Sequence, residues 1–148
     1  MQKVIAVASG GGHWIQLLRL REAFEDNDVV FVTTDAMFAS ELAGWSVHVV
    51  PDSSRWTPLR LLATAFTLLA VMLRERPDVV ISTGAAPGFL AILYGRLLGA
   101  KTVWVDSIAN AGELSLSGRL VGRLAGLWLT QWPHLATEDG PHYAGRVL

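Results

Sequence analysis

The stretch Val7–Leu20 reads VASGGGHWIQLLRL. It places three consecutive glycines between a short apolar run and a segment in which apolar residues recur at helical spacing. Glycine accepts positive φ angles and lets a ligand approach the backbone closely. A helix that begins directly after such a turn presents unpaired N–H groups and the positive end of its dipole. The stretch therefore predicts a strand–loop–helix unit whose loop binds an anion, most often a phosphate, although glycines also suit a tight turn alone.

The rest of the chain repeats this alternation of short apolar runs and segments with helical periodicity. No internal repeat or linker divides the 148 residues. The predicted strands are Val4–Ser9, Val29–Thr34, Val47–Val50, Val79–Thr83, Thr102–Ser107 and Leu127–Trp132. The predicted helices are His13–Phe24, Ala36–Gly44, Thr57–Pro77, Ala86–Ala100 and Ser115–Ala125, with Thr57 as a cap and Gly44 and Pro77 as stops.

Strands that are apolar on both faces and alternate with helices are typical of a parallel, doubly wound sheet. We therefore expect one α/β domain over residues 1–148, with a Rossmann-like sheet of order 3-2-1-4-5-6 and right-handed crossovers. Ligands of such sheets bind beyond the carboxyl ends of the strands, near the point where the strand order reverses. The polar and glycine-rich segments at that edge are Ser9–His13, Thr34–Asp35, Thr83–Gly88 and Asp106–Asn110.

Composition excludes several classes of function. The net charge of −1 gives no indication of a nucleic-acid partner. The absence of cysteine excludes disulfides, thiolate metal sites and cysteine nucleophiles. The four histidines lack the spacing of a metal pair on one helix, so we expect no metal site. We also expect no cofactor. The absence of cysteine and of a recognisable signal peptide fits a cytoplasmic protein.

His13 is the candidate catalytic residue. It follows the glycines at the start of the predicted helix, where the helix dipole disfavours a positively charged imidazole. A neutral imidazole accepts a proton from a hydroxyl group, which is the task of a general base. Local hydrogen bonding in the first helical turn is the alternative role. His48 falls within a predicted strand, and we expect it to pack or to lie at the surface.

A dinucleotide-binding loop is the main alternative for the glycines. Gly10 and Gly12 match the first two glycines of that fingerprint, but Ile15 replaces the third. Asp35 stands near the end of the second strand, where a ribose-binding acid would be found. A Walker loop is excluded, because no Gly-Lys-Ser/Thr sequence follows the glycines. A nucleotide- or dinucleotide-binding module is therefore the second functional hypothesis.

Three stretches together resemble a known family. They are SGGGHWIQLLRL at Ser9–Leu20, PDVVISTGAAPGFLAILYGRLLGAKTVWVDS at Pro77–Ser107 and LSLSGRLVGRLAGLWLTQWPHL at Leu114–Leu135. The chain resembles the acceptor-binding, membrane-recruiting subunits of two-component glycosyltransferases in oligosaccharide biosynthesis, and with them the N-terminal half of a GT-B transferase. The resemblance implies transfer of N-acetylglucosamine or another sugar from a UDP-sugar to a polyprenyl-pyrophosphate-linked acceptor, without a cofactor.

The resemblance also implies roles for individual residues. His13 would deprotonate or orient the attacking hydroxyl of the acceptor. The family has Glu-Ser and then an arginine after the fifth strand, whereas this chain has Asp106-Ser107 and then Asn110. The residues expected to bind the phosphate or sugar of the acceptor are Ser9, Gly10, Gly11, Gly12, Thr83, Gly84, Asp106, Ser107 and Asn110.

A partner follows from the same resemblance. A complete GT-B enzyme has two doubly wound domains with the reaction between them, and this sequence predicts one. The resemblance therefore implies a separate subunit that binds the UDP-sugar, without which this chain would be inactive. Gln131 and Trp132 match the family's Gln-Trp pair and are expected at the partner interface. The expected location is the cytoplasmic face of a membrane.

The uncharged run Leu61–Leu73 is the candidate membrane-contacting segment. At ~1.5 Å per residue it is about 20 Å long, short of the roughly 30 Å hydrocarbon core of a bilayer. We expect a helix with one face on the sheet and the other against lipid or a partner, or else a wholly buried core helix. Trp14 and Trp56 are candidates for a lipid interface or a subunit contact, and Trp104 and Trp128 for the core.

Overall fold

The computed structural model describes residues 1–54 and 56–147. They form a parallel sheet of order β3-β2-β1-β4-β5-β6-β7. The strands are β1 (Lys3–Ala8), β2 (Asp28–Thr33), β3 (Ser46–Val49), β4 (Val79–Gly84), β5 (Lys101–Val105), β6 (Leu127–Thr130) and β7 (His142–Tyr143). The helices are α1 (Gly12–Arg19), α2 (Ala36–Glu41), α3 (Pro58–Glu75), α4 (Ala85–Leu97) and α5 (Leu116–Val121), with 3-10 turns at Arg21–Ala23 and Pro133–Leu135.

The predicted fold class and strand order are confirmed, with one added strand. β7 pairs in parallel with β6, Leu129 opposite His142 and Thr130 opposite Tyr143. A strand of two residues carries no periodicity, so the sequence could not predict it. It covers the edge of β6 that would otherwise expose unpaired backbone groups.

β1 contributes to two hydrophobic cores because successive strand residues point to opposite faces of the sheet. Ile5 and Val7 lie in the core beneath α3, α4 and α5, together with Leu68. Ala6 lies in the core on the other face, together with Trp14 of α1. The central strands are therefore buried on both sides, as expected for a parallel sheet covered by crossover helices.

Two glycines let α4 lie directly on the sheet. A Cβ atom at Gly95 would lie 2.7 Å from Val80 Cγ2, and one at Gly88 would overlap the hydroxyl of Ser82. Neither position has room for a side chain, because protein interiors are close-packed. Because α4 follows β4 directly in sequence, its first turn lies at the carboxyl end of that strand.

Helix ends differ from the prediction where local hydrogen bonds decide them. α1 ends at Arg19, whereas the periodicity predicted Phe24, because the chain tightens into a 3-10 turn. Thr57 does not cap α3; its hydroxyl exchanges hydrogen bonds with the backbone of Ser54. α5 ends at Val121 rather than the predicted Ala125, and α2 ends at Glu41 rather than Gly44. The remaining elements match the predicted ones with small differences at their ends.

The tryptophans correct one expectation and confirm another. Trp14 is fully buried, with its ring stacked on Phe38 at a centroid distance of 6.0 Å and edge-on to Phe31 at 5.8 Å. The expectation that Trp14 marks a lipid interface or a subunit contact is therefore wrong, because the third residue of α1 faces the sheet. Trp104 is buried as predicted, and Trp128 packs against the same core while remaining partly exposed.

α3 has one face in the core and one face outside it. Leu68 and Met72 are fully buried, whereas Leu62 and Phe66 are 56% and 71% exposed. The interpretation of the helix as wholly buried is therefore excluded. Across residues 1–54 and 56–147, no helix combines the length and the apolar character needed to span a bilayer.

Candidate functional site

His13 and Thr83 bring the glycine loop and the end of β4 together. His13 Nδ1 lies 3.0 Å from the carbonyl oxygen of Thr83, and the Thr83 hydroxyl donates to the carbonyl oxygen of His13 at 2.6 Å. A carbonyl oxygen only accepts hydrogen bonds, so Nδ1 of the neutral ring carries the proton. Nε2 then keeps its lone pair, which is the form that a general base requires.

Gly84 makes room for the His13 ring. Its φ is +147°, and a Cβ atom there would lie 2.5 Å from His13 Cε1. Any side chain at this position would therefore displace the imidazole. The next residue, Ala85, begins α4 with a φ of +67°, a conformation that costs energy for a residue with a side chain. Strained backbone of this kind is typical of functional loops.

The amino ends of two helices meet beside His13. α1 begins at Gly12 and α4 at Ala85, and the His13–Thr83 pair connects the two turns. Neither first turn contains an acidic residue, and neither cap is made by a side chain. Such turns carry unpaired N–H groups and a positive partial charge. The arrangement is suited to an anion, with phosphate as the best chemical fit.

The other part of the glycine loop borders a polar cavity of about 380 Å³. Gly10 N–H donates to the Thr34 hydroxyl at 3.1 Å, so this amide is already engaged within the fold. Asp35 caps α2 by accepting from Met37 N at 2.9 Å, which gives the carboxylate a structural role apart from any ribose. The cavity is lined by Ser9, Gly10, Gly11, Thr34, Asp35, Ala36 and Asp52.

Asp106 is buried and organises the loop that it begins. Its carboxylate accepts hydrogen bonds from Trp104 Nε1 at 3.0 Å, from Ser115 N at 3.0 Å and from Ser115 Oγ at 2.6 Å. Only 1% of the residue is exposed. The predicted direct contact between Asp106 and an acceptor does not fit this position. Asn110, which is half-buried, is the polar side chain of this loop that remains a candidate.

Two buried glutamines connect the loops at this edge. Gln16 of α1 and Gln131 after β6 are 6% and 1% exposed, and Gln131 Nε2 donates to Gln16 Oε1 at 2.6 Å. Gln131 is therefore inside the fold rather than at the surface where a partner interface was predicted. Ser107 is also turned inward and accepts from Gln16 Nε2 at 3.1 Å. Gln16 is not among the predicted site residues, because a glutamine in an amphipathic helix normally faces solvent.

Trp132 is half-buried between two segments. Its Nε1 donates to the carbonyl oxygen of Ile108 at 2.7 Å, and the guanidinium carbon of Arg146 lies 4.6 Å from the ring centre. These contacts hold the ring between the loop after β5 and the C-terminal segment. Part of the ring stays exposed.

His48 lies outside this site. Its Nε2 is 3.0 Å from Glu75 Oε1, and Lys3 Nζ is 3.2 Å from Glu75 Oε2. The hydrogen bond from His48 holds the pKa of Glu75 below its ordinary value, and Lys3 adds to the effect while burial opposes it. Within residues 1–54 and 56–147, no group of three His, Asp or Glu side chains is arranged to hold a metal ion.

Comparison with known proteins shows the family of this chain. The family described as "Oligosaccharide biosynthesis protein Alg14 like" matches residues 46–147. The chain belongs to the Alg14-like family. The human UDP-N-acetylglucosamine transferase subunit ALG14 is 28% identical to it over 98% of this chain and 82% of the human protein. The subunit of the same name from Schizosaccharomyces pombe is 28% identical over 93% of this chain and 79% of that protein.

A solved structure has the same fold as this Alg14-like chain. MurG of Acinetobacter baumannii superposes on it with a TM-score of 0.78 at 16% sequence identity. The similarity covers 98% of this chain and 45% of the MurG chain, so the chain spans less than half of that protein. At this identity the likeness shows a shared fold. It agrees with the predicted similarity to one half of a GT-B transferase.

Proposed function

We propose that this chain is the acceptor-binding subunit of a two-component glycosyltransferase. The reaction transfers N-acetylglucosamine from UDP-N-acetylglucosamine to a polyprenyl-pyrophosphate-linked sugar. The observation that carries the proposal is the His13–Thr83 pair at the meeting point of two helix amino ends. Membership of the Alg14-like family supports the reaction, because its human member is named a UDP-N-acetylglucosamine transferase subunit.

His13 acts as the general base in this proposal. Its Nε2 takes the proton of the attacking acceptor hydroxyl while that oxygen bonds to the anomeric carbon of the donor sugar. The bond from the same carbon to UDP breaks, and UDP leaves with the electron pair. The carbonyl oxygen of Thr83 stabilises the imidazolium that forms, because hydrogen bonds from a charged donor are stronger. General-base catalysis of this kind contributes roughly 10²- to 10⁴-fold to the rate.

The acceptor binds across the carboxyl edge of the sheet, where His13 lies. Its pyrophosphate lies at the first turns of α1 and α4, beside the uncovered backbone of Gly11 and Gly12. Its sugar extends toward the polar cavity that begins at Ser9, where hydroxyl and carboxylate oxygens suit sugar hydroxyls. Asn110 approaches from the loop after β5 and takes the position where the family has an arginine.

A second chain supplies the UDP-sugar in this proposal. The human and Schizosaccharomyces pombe relatives are both named as subunits, which supports an assembly of more than one chain. The exposed part of Trp132 and the neighbouring Arg146 are the proposed docking point. Both lie at the carboxyl edge of the sheet, so a partner there would face the acceptor site. Transfer then requires both chains.

The lipid part of the acceptor requires an apolar surface beside the site. A groove of about 410 Å³ between α3, α4 and α5 begins at Ala85 and Ala86, the first residues of α4. Its other apolar walls are Leu61, Phe89, Leu90, Leu116 and Leu120. The exposed side chains of Leu62 and Phe66 extend this surface along α3. We therefore place the bilayer against this groove, with the chain bound peripherally on the cytoplasmic face.

Charge supports a membrane surface as the occupant of the groove. Arg60 on α3 is exposed, and a cation beside an apolar helix face favours anionic headgroups. In sedimentation with vesicles that contain an anionic phospholipid, Phe66→Asp should weaken binding more than tenfold. Leu97→Asp is the matched control, because Leu97 is 75% exposed near the other end of α4. Equal effects of the two substitutions would contradict the assignment.

A transfer assay tests the central proposal. It uses UDP-N-acetylglucosamine and a polyprenyl-pyrophosphate-linked sugar, with this chain alone and together with co-expressed candidates for the donor-binding chain. We expect transfer only in the mixture, and a loss of roughly 10²- to 10⁴-fold with His13→Ala while the complex still forms. His142→Ala, which removes an exposed histidine on β7, should leave transfer unchanged. Tight binding of NAD or a free nucleotide without any transfer would instead support a nucleotide-binding module.

A further inference from the structure

Gln16 and Gln131 form a buried pair in which every amide hydrogen has an acceptor. Gln16 Nε2 donates to the carbonyl oxygen of Gly12 at 3.2 Å and to Ser107 Oγ at 3.1 Å. Gln131 Nε2 donates to Gln16 Oε1 at 2.6 Å and to the carbonyl oxygen of Asp106 at 3.0 Å. An amide nitrogen carries two hydrogens, so both side chains have reached their full donor capacity.

Backbone groups fix the orientation of both amides. Gln16 Oε1 accepts from Ile108 N at 3.0 Å, and Gln131 Oε1 accepts from Val147 N at 2.7 Å. A backbone N–H only donates, and a backbone carbonyl only accepts. Rotating either amide by a half-turn would set donor against donor and acceptor against acceptor. Each side chain therefore has a single orientation that fits.

The pair connects segments that meet at the candidate site. Gln16 lies about one helical turn after His13, and Ile108 belongs to the loop that carries Asn110. Val147 belongs to the C-terminal segment. A buried amide that loses a partner is destabilised, because no water replaces the missing hydrogen bond. The spacing between the His13 turn and the loop after β5 therefore depends on these side chains as well as on the sheet.

We propose that Gln16 and Gln131 are positioning residues for the acceptor. They hold the loop after β5 at a fixed distance from the turn that carries His13, and the N–H group of Val147 orients the pair. This inference rests on the proposed function and adds to it two residues that do not touch the acceptor. Loss of the pair loosens the acceptor site, whereas the UDP-sugar site on the partner is unaffected.

Methionine substitutions test the pair, because methionine has a similar length and no hydrogen-bonding group. In the two-chain enzyme, Gln16→Met and Gln131→Met should each raise the KM for the acceptor roughly 5- to 30-fold. The KM for the UDP-sugar should stay unchanged. The KM for the acceptor in the double variant should be no higher than in the more affected single variant, because both residues act through one link.

Thr102→Val is the matched control for the loss of a buried hydrogen bond. Thr102 is 2% exposed, and its hydroxyl accepts from Gly126 N at 2.8 Å at the opposite end of β5. We expect lower stability and an unchanged KM for the acceptor. A rise in this KM equal to that of Gln16→Met would show a general effect of destabilisation and overturn the proposal. If the two increases in the KM for the acceptor multiply in the double glutamine variant, the proposal is overturned as well.

Two substitutions of Val147 test the hydrogen bond from its backbone N–H to Gln131. Val147→Pro removes the N–H group that donates to Gln131 Oε1, whereas Val147→Ala keeps it. The proline variant should reproduce the kinetic effect of Gln131→Met, and the alanine variant should match the wild type. Wild-type kinetics in the proline variant would refute the orienting role of the C-terminal segment.

Amide hydrogen exchange separates this inference from the proposed function. The N–H of Ile108 should be protected in the wild-type chain and should exchange at least fivefold faster in Gln16→Met. If the wild-type complex transfers no sugar, the proposed function fails, yet faster exchange at Ile108 still demonstrates the link. Unchanged exchange at Ile108 in both glutamine variants refutes the link whatever the activity.

Discussion

The Thr83 hydroxyl donates to the carbonyl oxygen of His13 at 2.6 Å, while His13 Nδ1 lies 3.0 Å from the carbonyl oxygen of Thr83. The two residues are 70 positions apart in sequence and hold each other by side chain and backbone at once. The glycine loop and the imidazole are therefore oriented by the same residue of β4. Changes at the end of β4 should appear as changes in the reactivity of His13.

Gly84→Ala tests whether the His13 ring needs the space beside residue 84. The new methyl group would meet the His13 ring, and a misplacement of about 1 Å costs on the order of 100-fold in rate. We expect a loss of transfer of that size in the two-chain assay. Gly99→Ala is the control, because its φ is +81° but no atom lies within 4 Å of the added Cβ. It should lower stability by about 1–2 kcal/mol and leave transfer intact. Full activity of Gly84→Ala would mean that the ring position is not critical.

His13→Asn separates hydrogen bonding from base catalysis. The asparagine Nδ2 can replace Nδ1 as the donor to Thr83, but it supplies nothing in place of Nε2. We expect acceptor binding to persist and transfer to fall roughly 10²- to 10⁴-fold. Nitrogen NMR of the wild-type imidazole should show the proton of the neutral ring on Nδ1. Substantial transfer by the asparagine variant would remove His13 from the role of base.

Gly95→Ala tests the close contact between α4 and the sheet. A Cβ atom there would lie 2.7 Å from Val80 Cγ2 and 3.1 Å from Thr102 Cγ2. Overpacking of a well-packed interior costs about 1–3 kcal/mol, more than the roughly 1 kcal/mol that alanine contributes to helix propensity. Urea denaturation should show a net loss of stability. Gly112→Ala, with nothing within 4 Å of the new atom, should change stability by less than about 0.5 kcal/mol.

The acid stability of the protein should depend on Glu75. The hydrogen bond from His48, followed by that from Lys3, lowers the pKa of Glu75 from its ordinary value of 4.5. A lowered pKa contributes stability above the unfolded-state value, and this contribution is lost as the pH falls through the folded-state value. The free energy of unfolding of the wild type should therefore fall more steeply below about pH 4.5 than that of Glu75→Gln.

Glu113→Gln is the control for this pH dependence. Glu113 is 78% exposed at its side chain and lies 3.7 Å from Arg119, so its pair is screened by solvent. The free energy of unfolding of Glu113→Gln should fall below about pH 4.5 as steeply as that of the wild type. Parallel curves for the wild type and Glu75→Gln below pH 4.5 would show that the His48–Glu75–Lys3 cluster contributes nothing in acid.

The sheet and the edge where the site lies can be predicted from the sequence alone. Apolar runs such as Val79–Thr83 and the three glycines before His13 are local signals, because they reflect burial on both faces and the backbone conformation of one turn. The predicted strand order is that of the doubly wound fold, whose crossovers are right-handed. These features need no knowledge of which side chain meets which.

Which polar and aromatic side chains are buried depends on contacts between elements that are distant in sequence. Gln16 and Gln131 are 115 positions apart, and their hydrogen bond exists because α1 and the end of β6 meet beneath one loop. Asp106 is an internal acceptor and Trp14 a core residue for the same reason. Burial depends on which neighbouring elements pack against a side chain, and it cannot be predicted from residue type and spacing.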